Sequence, residues 1–86
     1  MTKDYAIALI ADYTIELESD VITPQLYAVR VGSVLVDLVK HGTEWDEGIA
    51  NAFELAAEAC YMIAPYDDAS QEWLYRVSDR YEDLRP

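Results

Sequence analysis

Trp45, Ile49, Ala52, Phe53, Ala56, Ala59, Cys60 and Ile63 follow one another at helical intervals, and Pro65 stops the run. That spacing puts all eight on one side of an α-helix and fits no strand, whose side chains alternate with period two. The residue before a proline is pushed out of the helical region, so the helix ends just before Pro65. In a chain of 86 residues the rest must be built around this helix. Three glycines and three prolines are too few for the turns of a sandwich or barrel. Eleven alanines suit closely packed helices instead.

Three further helices are read from the same periodicity. Thr2 is a natural cap for a first helix carrying Tyr5, Leu9, Ile10, Tyr13 and Leu17 inward, fading near Glu18–Asp20. Thr23 caps a second, with Pro24 at its first position, where a missing N–H costs nothing. Tyr27, Val31, Val34, Leu35 and Leu38 form its stripe. Gly32, inside it, costs about 1 kcal/mol against alanine unless a neighbour approaches closely there. Lys40, His41 and Gly42 suit its C-terminal end. Thr43 and Asp46 stand at capping spacing before the third helix, and Asp68 and Gln71 before a fourth that begins near Ser70. Leu74, Val77, Tyr81 and Leu84 supply the last core face. Short connections between helices of this length predict an all-α fold, an antiparallel up-down four-helix bundle forming one domain over 1–86.

Seventeen acidic residues against six basic ones leave a net charge of −11. Such a chain is repelled by nucleic acid and by anionic membranes, and is drawn to a basic protein or to cations. The same charge also serves plain solubility. The 52% hydrophobic content excludes simple disorder. One cysteine, Cys60, allows no internal disulfide, and its apolar context marks a buried thiol. The N-terminal stretch lacks the basic region and cleavage site of a signal peptide, and no apolar run reaches the roughly 20 residues of a membrane helix. A soluble cytoplasmic protein is expected.

Catalytic chemistry finds no footing. His41, the only histidine, sits at a helix end where capping explains it. No Glu-x-x-His pair, calcium loop or glycine-rich phosphate loop occurs. Neither an enzyme, a metal nor a cofactor is expected.

Aromatic and acidic residues together point elsewhere. Tyr61, Tyr66 and Tyr75 miss the core stripes and are expected at the surface. On the third helix Glu47, Glu54, Glu58 and Tyr61 share a face, which runs toward Tyr66, Asp67, Asp68 and Glu72. Exposed tyrosine beside carboxylates is the composition of a protein-binding surface, where aromatics anchor and charge steers. A solvated face with acids at helix starts has the same composition. Like charges four apart on a helix cost a few tenths of a kcal/mol each, so stability alone does not choose them. Asp79, Glu82 and Asp83 are expected to lie away from this surface.

The segments ITPQLY (22–27), FELAAEACYMIAPYDD (53–68) and EWLYRV (72–77) together resemble the immunity proteins of the colicin D type. Those are small acidic helical bundles that accompany tRNA-cleaving bacteriocins or contact-dependent inhibition toxins. Here Tyr66 separates the proline from the aspartates, a departure from the family's proline–aspartate step. The resemblance implies an acidic inhibitor that fills a toxin's basic, phosphate-gripping cleft with carboxylates, using the eight surface residues named above. Two alternatives share the composition: a different nucleic-acid mimic, such as a phage anti-CRISPR or anti-restriction protein, and a helical adaptor for protein interaction.

Overall fold

The computed structural model describes residues 1–86 and contains four helices and no strand. They are α1 (Lys3–Glu18), α2 (Pro24–Lys40), α3 (Glu47–Ile63) and α4 (Asp68–Glu82). Thr2 and Thr23 cap α1 and α2 with their hydroxyls, taking the amides of Tyr5 and Leu26. At the end of α2, Gly42 adopts φ 63°, and the amides of Gly42 and Thr43 bond back to the carbonyls of Val39 and Leu38. This is the glycine-terminated helix end that KHG predicts.

Two starts differ from expectation. The cap of α3 is Asp46, not Thr43, and its carboxylate accepts from the amides of Gly48 and Ile49. Trp45 therefore precedes the helix rather than opening its stripe. Likewise α4 begins at Asp68 with Asp67 as its cap, two residues before Ser70.

The helices pack as a ring rather than in simple succession. α1 lies against α2 and α3, and α4 against α2 and α3; α2 barely meets α3, and α1 does not meet α4. The connection after α2 therefore crosses one end of the bundle. There Thr43 Oγ1 donates to the Met1 carbonyl at 3.0 Å, and Lys3 approaches Asp46 at 3.5 Å, so α1 and α3 start side by side. Gln25 and Asp67 tie the starts of α2 and α4 together at 2.6 Å.

Tyr27, Tyr81, Phe53, Leu38, Ile49, Leu74, Val31, Val34 and Cys60 fill the centre. Phe53 and Tyr81 meet at 5.2 Å between ring centroids. The Tyr81 hydroxyl accepts the Asp46 amide at 2.8 Å, which pins the start of α3 to the end of α4. Three expected core residues lie outward: Tyr5, Ile63 and Leu84 are exposed, and Ala6 takes the buried place beside Tyr5. Gly32 has its close neighbour: a Cβ there would stand 3.0 Å from the Trp73 indole nitrogen.

Candidate functional site

On α3, Glu47, Asn51, Glu54, Glu58 and Tyr61 stand four, three, four and three residues apart, and all are exposed. On α4, Asp68, Glu72, Tyr75, Asp79 and Glu82 repeat the same intervals and are also exposed. That rhythm holds side chains on one face of a helix. Because α3 and α4 pack together, the two stripes become neighbouring ridges. A groove of about 470 Å³ lies between them, edged by Glu47, Glu54, Tyr75, Asp79 and Glu82.

The expected residues divide into three groups. Glu47 and Glu54 line the groove, while Glu58 and Tyr61 continue their ridge by spacing. Asp68 and Glu72 stand on the α4 ridge, and Tyr66 projects from the turn, 78% exposed. Asp67 is a correction. It is buried, its Oδ1 accepts the Ser70 amide at 3.0 Å, and its Oδ2 accepts from Gln25 Nε2 at 2.6 Å. Its carboxylate is thus used within the fold, and the turn shows Tyr66 and Asp68 outward.

Asp79 and Glu82 correct the expectation in the other direction, since they border the same groove as Glu47 and Glu54. The signal was present in the spacing of residues 68–82, a stripe to one side of the one that builds the core. Tyr75 completes it.

Positive charge on these ridges is sparse. Arg76 pairs with Glu72 at 2.6 Å and Arg85 with Glu82 at 3.2 Å. Glu47, Glu54, Glu58, Asp68 and Asp79 have no ion-pair partner. The Arg85 guanidinium also lies 5.0 Å over the Trp45 ring, which stacks on Tyr81. The Trp45 indole nitrogen is buried without a hydrogen-bond partner.

The perturbed groups belong to the interior. Burial pushes Tyr27 up to about 12, against a hydrogen bond with Thr14 that acts the other way. Burial also raises Cys60, helped by the charge of Asp67, and raises Tyr81 against its bond to the Asp46 amide. His41 holds its Nδ1 2.7 Å from the Asp37 carbonyl at the end of α2. No three His, Cys, Asp or Glu side chains gather closely enough to hold a metal ion. No helix is long and apolar enough to cross a membrane.

Chemically, the ridges offer hydrogen-bond acceptors of one charge sign, interspersed with aromatic rings. They suit lysine and arginine side chains, whose bonds to carboxylates are charge-assisted. No family model, curated protein or solved structure matches the chain.

Proposed function

We propose that this chain is an acidic immunity protein that neutralises a basic, tRNA-cleaving nuclease toxin by occupying its nucleic-acid cleft with the carboxylates of α3 and α4. The observation that carries the reading is the pair of acidic ridges flanking one groove, with five carboxylates free of ion pairs. A nuclease cleft grips phosphates with lysine and arginine, and a row of carboxylates offers the same groups charge-assisted acceptors. The resemblance of three short segments to the colicin D-type immunity proteins supports the same partner class. The reading includes a cytoplasmic location and no direct contact with nucleic acid. It also includes an up-down course of the helices, supported by the paired starts of α1 with α3 and of α2 with α4.

Glu47, Glu54, Glu58, Asp68 and Asp79 supply the charge, with Tyr61, Tyr66 and Tyr75 as aromatic anchors. A phage inhibitor of a different basic nuclease would use identical chemistry; a toxin gene directly upstream favours immunity over it. The test is kinetic, with a tRNA-cleaving nuclease domain that the chain inhibits. Raising salt from about 50 to 500 mM slows association far more than it speeds dissociation, because screening acts on the approach. An association rate indifferent to salt would leave the −11 charge to solubility.

A further inference from the structure

The groove between the acidic ridges already holds one cation. Glu47, Glu54, Asp79 and Glu82 bring carboxylates to it, and Arg85 is the only basic residue among those lining it. The Arg85 guanidinium stands 3.2 Å from Glu82 and lies 5.0 Å over the ring of Trp45, which lines the same groove. The backbone delivers it there. α4 ends at Glu82, and the amides of Leu84 and Arg85 bond back to the carbonyls of Tyr81 and Glu82. That turn carries Arg85 to the groove instead of away from it. Trp45 stacks on the buried Tyr81 at 6.1 Å, so the ring beneath the guanidinium is held by the core.

We infer that Arg85 is a built-in competitor: it occupies the place in the groove that a partner's arginine takes, and it swings out when that arginine arrives. A guanidinium stacked on an indole and paired with a carboxylate is a common way for proteins to hold arginine. An arriving arginine finds the same ring and the same carboxylate, with Glu47, Glu54 and Asp79 lining the groove beside them. Arg85 itself reaches only Glu82 within ion-pair distance. Its hold is weak enough to yield, since the two side chains of the pair are 63% and 50% exposed. An exposed ion pair and an exposed cation–π contact together favour the closed position by roughly 3- to 30-fold. That preference lowers the apparent affinity for a basic partner by the same factor, because only the open fraction binds. A cleft that engages both ridges overcomes it, whereas a lone arginine on an unrelated protein gains little by the exchange. The inference rests on the inhibitor reading for its partner, because it concerns the same groove.

Nuclear magnetic resonance tests it, because the chain has only two indole N–H signals, from Trp45 and Trp73. Arg85→Ala is expected to shift the Trp45 signal in the free chain and to leave that of Trp73 in place. A tetra-arginine peptide is the probe for the groove. It moves the Trp45 signal, and Arg85→Ala binds it about 3- to 30-fold more tightly than the parent chain does. Arg80→Ala is the control, removing the same charge from the α2 side of α4, where Arg80 has no ion-pair partner. It changes the affinity less than about twofold, because an exposed charge outside the groove acts through screened solvent. A Trp45 signal indifferent to Arg85→Ala overturns the inference. So does equal tightening in the two variants, or a peptide that fails to move Trp45 in either chain. The two readings fail separately. A nuclease bound equally by the parent and by Arg85→Ala keeps the inhibitor role and removes the competitor. Tighter peptide binding by Arg85→Ala, with no nuclease inhibited, keeps the competitor alone.

Discussion

Asp20 holds a backbone conformation that costs energy. Its φ of 61° lies in the left-handed region, and it is the only residue other than glycine found there. The amides of Asp20 and Val21 bond back to Leu17 and Glu16, so the conformation closes α1 as Gly42 closes α2. Asp20→Gly is expected to stabilise the fold by about 0.5–1 kcal/mol, seen as a higher urea midpoint with unchanged slope. An unchanged or lower midpoint would show that the aspartate side chain offsets its backbone strain. Asp67 and Asp68 make a second comparison. Asp67→Ala removes the cap of α4 and the bond to Gln25, and is expected to cost about 1–2 kcal/mol. Asp68→Asn, at an exposed position, is expected to stay within about 0.5 kcal/mol. Thermal melts of both variants check this, and equal stability would contradict the assignment of the cap. Two adjacent aspartates after a proline both look like caps in sequence. The choice between them rests on Gln25, 42 residues earlier, which local pattern does not reveal.

The helices themselves were legible because periodicity, caps and breakers agree at nearly every boundary. Thr2, Thr23, Pro24, Gly42 and Pro65 each sit where local chemistry puts them. The order of packing was not legible, since nothing in residues 41–46 announces a crossing of the bundle end. The close approach at Gly32 was readable as a requirement, but its author, Trp73, is on α4 and pairs with α2 only through the ring order. Tyr27 joins α1 to α2 through Thr14 at 2.8 Å, and its burial predicts an alkaline limit. Its folded-state value lies near 12 against 10.0 in the unfolded chain. Above pH 10 the unfolded chain therefore loses a proton that the folded chain keeps, and stability falls as pH rises. The fall is about 1.4 kcal/mol per pH unit for one such group, and the raised Cys60 and Tyr81 act in the same direction. Urea midpoints measured from pH 7 to 11.5 should be level below about pH 8, decline gently as the unfolded Cys60 thiol ionises, and fall more steeply above about pH 10. Tyr27→Phe loses some stability at neutral pH but makes the alkaline decline shallower; an equally steep decline would place its cause elsewhere.

Across the whole molecule, α4 separates two surfaces of different chemistry: acid and tyrosine toward α3, apolar groups with mixed charge (Arg76, Arg80, Asp83) toward α2, with Asp79 bordering both. The acidic half was half legible. Glu47, Glu54, Glu58 and Tyr61 were readable as one face of a single helix, but the partner ridge on α4 emerged only when α3 and α4 were placed side by side. The central claim is that the carboxylates on these ridges act by position and not merely by their sum. Neutralising Glu58, Asp68 and Asp79 to Gln or Asn removes three ridge charges, none of them in an ion pair. Neutralising Asp4, Asp12 and Glu18 removes three exposed charges from α1, likewise unpaired, and serves as the matched control. The deciding measurement is the dissociation constant of each triple variant for the proposed partner, a basic tRNA-cleaving nuclease domain, at about 150 mM salt. The ridge set is expected to lose about 2–5 kcal/mol, roughly 30-fold or more, because the arginines and lysines it meets are left buried and unpaired. The α1 set is expected to change affinity less than about threefold. Equal losses from the two sets, or none from the ridge set, would contradict the account.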